Sequence, residues 1–339
     1  MITLEEIAVL AQVSRRTVSR ALKDKNLVKR ETYEKIISIV KENDYQPSLY
    51  ARALSIGKKK IYFCGYRSPT SLFHHALLKS AKKKAKDLER LNVSIEFFSD
   101  SLDDHLSNEE INNITANFDA DFLISLPKDY GFPLNTALVN TAIKKHIPVI
   151  YLNMDGQIKD RLCYVGCDYE KAGKIAAGLM GLVLNQKGRI AILNQSYPDF
   201  ASCTFRYKGF VEQLHNKSPD INIVYEDLFF GKSNDSEIVR NLKQADIDGI
   251  YLINPGNYSI CHKAYNALKH KQVKIITNDL LEPCEQMLKD GTICAVIYQN
   301  PAEQAEKALE IAHMYLLSNE KNKYKDINCE LSILIGECL

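Results

Sequence analysis

From Ile61 onward, short apolar runs alternate with amphipathic stretches, and this alternation constrains the fold more than any other feature of the chain. Ile61–Gly65 reads as a strand, Leu72–Leu91 as a helix and Val93–Phe98 as a strand. Ser107-Asn108-Glu109-Glu110 opens the next helix. Strand Phe122–Leu126, helix Leu134–Lys145 and strand Val149–Leu152 follow. Asp168 then caps a helix over Tyr169–Asn185, and Arg206–Leu214 lies on another. Further strands are expected at Ile190–Leu193, Ile223–Phe229, Gly249–Ile253, Val273–Thr277 and Cys294–Tyr298. Asn300-Pro301-Ala302-Glu303 starts a last long helix, with a capping side chain and proline at its first position. Repeated strand–helix units imply parallel sheets with helices on both faces. Two such runs, separated near residue 160, predict two lobes.

The first 46 residues follow a different grammar and are expected to be all-α. Thr3 and Glu6 have the spacing of a capping box, ahead of an apolar face made by Leu4, Ile7, Ala8 and Ala11. After the short turn Gln12-Val13-Ser14, the segment through Leu22 splits cleanly at helical period. Val18, Ala21 and Leu22 share one face, while Arg15, Arg16, Ser19 and Arg20 share the other. Three guanidiniums with no carboxylate among them repel one another unless an anion meets them. Each is a rigid fork able to hold a phosphate, or the O6/N7 edge of guanine, through two hydrogen bonds. Two short helices joined by a tight turn form a helix-turn-helix, whose second helix enters the major groove. A third helix, from about Arg30 to Asp44, closes the small core with Tyr33, Ile36, Ile37 and Val40. Ser14, Thr17, Ser19, Asn26, Lys29 and Thr32 are placed to donate to phosphates. Charge agrees: residues 1–60 hold 13 Lys/Arg against 7 Asp/Glu, whereas the whole chain is only +2.

Thr3-Leu4-Glu5-Glu6-Ile7-Ala8, then Val13-Ser14 through Thr17-Val18-Ser19-Arg20, then Tyr45-Gln46-Pro47-Ser48-Leu49-Tyr50-Ala51-Arg52-Ala53-Leu54 come in the order and at the spacing of one family. The chain resembles the lactose-repressor (LacI/GalR) family of bacterial transcription regulators. That resemblance implies base contacts from Arg15, Arg16 and Arg20. It also implies a hinge helix from Pro47 to about Ile56, with Ala51 allowing close approach of two copies and Leu54 wedged into the minor groove. Ten residues are too few for an independently stable helix, so the hinge is expected to order only when two copies pack on DNA. Ser55 departs from the family, where many members carry a basic residue. Gly57-Lys58-Lys59-Lys60 reads either as a phosphate-binding run or as a solvated linker, giving a connector over residues 47–60.

The resemblance extends to a body of the periplasmic sugar-binding-protein type over residues 61–339. It implies a first lobe of about 61–162 plus 299–322 and a second of about 163–298 plus 323–339. Ligands of open parallel sheets bind beyond the carboxyl ends of the strands. Arg206, in Arg206-Tyr207-Lys208-Gly209-Phe210, Asn254, Asp279 and Gln299 occupy positions where sugar-binding members bond their ligand. Phe73 and Tyr66 are stacking candidates, and Asn153 stands where relatives often place an aspartate. The implied protein is an allosteric repressor, a homodimer on a pseudo-palindromic operator, with a sugar or sugar phosphate as effector and no cofactor or metal.

Several other functions lack their residues. No run approaches the roughly 18 apolar residues of a membrane span, and the acidic start Met1-Ile2-Thr3-Leu4-Glu5-Glu6 is unlike a signal peptide. A cytoplasmic protein is expected, with its 9 scattered cysteines mostly buried and free. Gly231-Lys232-Ser233 resembles the end of a phosphate loop, but Glu226 replaces the glycine such a loop requires. No nucleophile stands with a base, so an enzyme is not expected. The competing readings are a sugar-binding or sugar-processing protein without operator recognition, and a non-specific nucleic-acid binder.

Overall fold

A computed structural model describes residues 2–23, 25–43, 45, 57–67, 72–101, 106–126, 133–155, 160–195, 200–228, 233–254, 256, 258–280, 282–317 and 324–339. The chain divides into two compact units, Met1–Gly57 and Lys58–Leu339. The hinge expected at Pro47–Ile56, with Ala51 and Leu54, lies outside the described residues, as does the side chain of Tyr66.

In the first unit, α1 (Leu4–Ala11), α2 (Arg15–Lys23) and α3 (Arg30–Glu42) enclose a core of Ile7, Ala8, Ala11, Val18, Ala21 and Ile36. The capping box forms as expected: the Glu6 amide donates to Thr3 Oγ1 at 3.2 Å, and the Thr3 amide donates to Glu6 Oε2 at 2.7 Å. One core position differs. Ile39, rather than Ile37, packs against the cluster beside Val40 and Tyr33, because it lies three residues from Ile36 on the inward face of α3. Gln12 ends α1 in the left-handed conformation (φ 56°), which turns the chain sharply into α2.

The second unit contains β1 (Lys59–Arg67), α4 (Leu72–Glu89), β2 (Val93–Ser101), α5 (Asn108–Ala116), β3 (Phe122–Ser125), α6 (Pro133–Lys144), β4 (Val149–Asn153) and β5 (Cys163–Gly166). It continues with α7 (Tyr169–Val183), β6 (Lys187–Asn194), α8 (Phe200–Lys217), β7 (Asp220–Asp227), α9 (Asp235–Ala245), β8 (Gly249–Asn254) and α10 (Ser259–Ala267). Then come β9 (Lys274–Asn278), α11 (Glu282–Lys289), β10 (Ala295–Tyr298), α12 (Pro301–Leu317), β11 (Ile327–Asn328) and β12 (Ser332–Leu334). One six-stranded sheet runs β11-β5-β4-β3-β1-β2, the other β12-β10-β9-β8-β6-β7. Every pairing is parallel except β10 with β12. The short strands β3, β4 and β8 are buried along their whole length, as sheets covered on both faces require.

Two boundaries are corrected. Cys163–Gly166 pairs with β4, and Ile327–Asn328 pairs with β5, so both segments belong to the first lobe rather than the second. Lys59 and Lys60 are not linker: they begin β1, where Lys59 Nζ meets Asp121 at 2.7 Å and Lys60 Nζ meets Asp119 at 2.5 Å. The chain passes between the sheets three times, after β5, after β10 and after β11.

On α12, His313 is buried in the first lobe, its Nε2 without a hydrogen-bond partner. Burial, and secondarily Lys84, lowers its pKa from the usual 6.5. The folded state therefore binds this proton less readily than the unfolded chain, and its contribution to stability is complete above pH 6.5 and declines below it. Urea denaturation of the protein and of His313→Leu at pH 7.5 and 5.5 should show the native chain losing more stability on acidification. Equal losses would remove His313 from the pH dependence.

Candidate functional site

The exposed face of α2 carries Arg15, Arg16, Ser19 and Arg20, while Val18 and Ala21 anchor the opposite face in the core. Ser14 begins the helix: the Thr17 amide donates to its Oγ at 3.1 Å, and the two hydroxyls lie 2.9 Å apart. Arg15 pairs with Glu5 at 2.9 Å, with both side chains well exposed. An exposed pair of this kind is worth little and yields readily to a phosphate. Among the described residues no carboxylate pairs with Arg16 or Arg20. Asn26 and Lys29 are exposed and Thr32 is half-buried, all at the start of α3 or just before it.

In the second unit, Arg206 lies on the buried stripe of α8 with Ser202, Phe210 and Leu214, and is 2% exposed. A charged residue in phase with that stripe needs partners. Its Nη1 donates to Asn254 Oδ1 at 2.5 Å and to the Ile253 carbonyl at 3.1 Å, both at the end of β8. Its Nη2 lies 3.9 Å from Asp279 Oδ2, just beyond β9. Burial opposes the charge on Arg206, but Asp279 favours it, and the net effect is a guanidinium held more firmly charged than usual. Gln299, just after β10, donates from Nε2 to Asp279 Oδ1 at 2.7 Å. Asn153, at the end of β4, donates to Gln304 Oε1 at 3.1 Å. The strand ends therefore bring Asn153, Arg206, Asn254, Asp279 and Gln299 into one buried polar cluster. Asn153 and Asp279 both hold left-handed backbone, φ 67° and 66°, which these residue types tolerate better than most. Two buried donors, Arg206 Nε and Asn254 Nδ2, have no hydrogen-bond partner.

The cluster includes residues that the sequence did not single out. The ring of Tyr169 lies beneath Arg206, with the guanidinium carbon 5.1 Å from its centroid. The Cys167 thiol donates to Gln299 Oε1 at 3.1 Å, and burial pushes its pKa up to about 12, so it is a neutral packing group. Gln304 was detectable: it falls in phase with Pro301, Ala305 and Ala308 on the buried face of α12. Phe73 is part of the first-lobe hydrophobic core, 8% exposed, and takes no part in this polar cluster.

Helices α7 and α8 cross in direct backbone contact. A Cβ on Gly173 would lie 2.0 Å from the Arg206 carbonyl oxygen, and one on Gly209 would lie 2.0 Å from that of Glu170. Two glycines thus bring the helix bearing Tyr169 against the helix bearing Arg206. The side chain of Glu170 accepts from Lys174 and Lys208, each at 2.8 Å, and these hydrogen bonds hold its pKa down to about 2.

No helix among the described residues is long and apolar enough to cross a membrane, and no group of His, Cys, Asp and Glu among them could hold a metal ion. Residues 3–48 match the family model for bacterial regulatory proteins of the lacI family, and residues 61–321 match that for the periplasmic binding protein domain. The probable HTH-type transcriptional repressor ExuR of Bacillus subtilis (strain 168) is 26% identical over 161 residues, 48% of this chain and 45% of the relative. The sucrose operon repressor of Staphylococcus xylosus is 28% identical over 233 residues, 66% of each chain. The chain thus spans about half to two thirds of the length of these curated relatives. Among solved structures, GanP, a glucose-galactose binding protein from Geobacillus stearothermophilus, superposes with a TM-score of 0.66 at 21% identity, over 83% of this chain and 99% of its own. That likeness speaks for the fold. With the two family models adjoining in one chain, this protein belongs to the periplasmic-binding-protein domain family in its body and carries the regulatory head of the lacI family.

Proposed function

We propose that this protein is a sequence-specific DNA-binding transcription repressor, governed by a sugar or sugar-derived effector that binds at Arg206, Asn254 and Asp279. The observation that carries the DNA reading is the α2 face, where Arg16 and Arg20 stand exposed without carboxylate partners on a helix anchored by Val18 and Ala21. Such a helix presents guanidiniums at fixed spacing to base edges. The names of its relatives, a probable transcriptional repressor and a sucrose operon repressor, point the same way. The effector reading rests on the two unpartnered buried donors, Arg206 Nε and Asn254 Nδ2. A hydroxyl or ring oxygen would satisfy both and remove a desolvation penalty of about 1–3 kcal/mol per group. The protein acts as a homodimer on a pseudo-palindromic operator, in keeping with two-fold readout by helix-turn-helix proteins. Effector binding shifts DNA affinity only to the extent that it distinguishes two states of the body.

Selection from a randomised duplex pool tests the whole reading. The expected result is a site bound at least ~10³-fold more tightly than random DNA, and equal binding to all duplexes refutes it. Arg20→Ala should cost about 1–3 kcal/mol on that site and relax preference at one base pair per half-site. Uniform weakening on every sequence would make Arg20 a phosphate contact instead.

A further inference from the structure

We propose that Tyr169, Asn153 and Gln299 are positioning residues that close a ring of side chains across the two lobes, through which the first lobe registers the state of Arg206. The ring has two arms. In one, Arg206 lies on Tyr169, 5.1 Å from its ring centroid, and the Tyr169 hydroxyl donates to the Asn153 carbonyl at 2.6 Å. In the other, Arg206 faces Asp279 at 3.9 Å, Gln299 Nε2 donates to Asp279 at 2.7 Å, and Asn153 Nδ2 donates to Gln299 Oε1 at 3.4 Å. Both arms end on Asn153, which is 5% exposed at the carboxyl end of β4 in the first lobe.

The amide of Gln299 is already engaged at both ends. Its nitrogen donates to Asp279, while its oxygen accepts from Asn153 and from the Cys167 thiol. Gln304 secures the first-lobe end by accepting from Asn153 at 3.1 Å and donating to the Gln299 carbonyl at 2.8 Å. Asn153 and Gln299 are thus occupied with each other, and open hydrogen-bonding capacity remains at Arg206 Nε and Asn254 Nδ2 in the second lobe. A molecule accepting from Arg206 Nε fixes the guanidinium plane, and that plane sets the geometry of both arms. Either arm alone still links Arg206 to Asn153, so removing one is buffered by the other, whereas removing both opens the connection.

This inference rests on the effector reading for its purpose, but its test needs no effector. Urea unfolding of the full chain is compared for Tyr169→Phe, which removes the first arm, Gln299→Met, which removes the second, and the double variant. The double variant should change the unfolding constant by at least roughly threefold more than the product of the single changes, as expected for residues in one network. The excess should vanish in an Arg206→Met background, where the ring is open. Effects that multiply within twofold, or an excess that persists without Arg206, overturn the proposal. Should the Arg206 background fold too poorly to measure, amide exchange replaces it. Gln304→Met, in the first lobe, should then speed exchange at the Asp279 N–H, which donates to the Ile297 carbonyl at 2.9 Å, at least roughly fivefold. No change at that amide is the overturning result. A failed effector search would sink the effector reading while leaving these outcomes intact.

Discussion

Gly209→Ala should destabilise the body severely, although alanine is the better helix former by about 1 kcal/mol. The opposing effect is larger. The new methyl would sit 2.0 Å from the Glu170 carbonyl oxygen and 2.8 Å from its carbon, both of them backbone atoms. A flexible side chain could swing away, but two helices must separate along their length, so the loss should reach or exceed the ~1–3 kcal/mol typical of overpacking. Separation would also lift Arg206 from Tyr169, so impaired packing and an impaired effector site should appear together. Gly178→Ala is the matched control. It lies on α7, the helix that α8 crosses, and nothing among the described residues stands within 4 Å of where its methyl would sit; it should gain up to about 1 kcal/mol. Urea midpoints for both variants settle the matter, and a neutral Gly209→Ala would mean that the crossing is looser than the backbone distances say.

Arg206→Met should cost about 3–5 kcal/mol, the range for removing one member of a buried charged pair. The methionine fills much of the same space, so the loss is electrostatic in origin. Asp279, 8% exposed, would be left with Gln299 donating to it but no guanidinium beside it, so it must either hold an uncompensated charge or take up a proton. Asn254 Oδ1 and the Ile253 carbonyl would lose their shared donor as well. Arg206→Met combined with Asp279→Leu should recover a large part of that loss, because no isolated charge then remains in the interior. Denaturation of the two variants side by side measures this. A double variant weaker than the single one would show that Asp279 serves some partner other than Arg206.

The sequence made the head legible because its two helical faces differ so sharply: Val18 and Ala21 are buried, and Arg16 and Arg20 are exposed. Most body strands were legible as well, since a buried parallel strand is an unbroken apolar run such as Gly249–Ile253. β5 was missed because its four residues, Cys163–Gly166, are too short a run to show an apolar stretch or an alternation of their own. Ile37 and Ile39 show the limit of periodicity in a short helix, where the inward direction depends on how α3 meets its neighbours. Within the site, Arg206, Asn254 and Asp279 could be anticipated from their places beyond strands or in a motif. The role of Tyr169 could not, because it depends on a helix crossing set by Gly173 and Gly209, far apart in the chain. A tyrosine just after a capping aspartate looks like any first-turn residue.

Three passages between the sheets have a consequence for synthesis. The ribosome releases the chain from its amino end, so the first sheet waits for residues 327–328 to supply its edge strand, and the second waits for 332–334. Neither half of the body is finished until residues 327–334 have emerged. Until then the nascent body presents open strand edges, the kind of surface that holding chaperones protect.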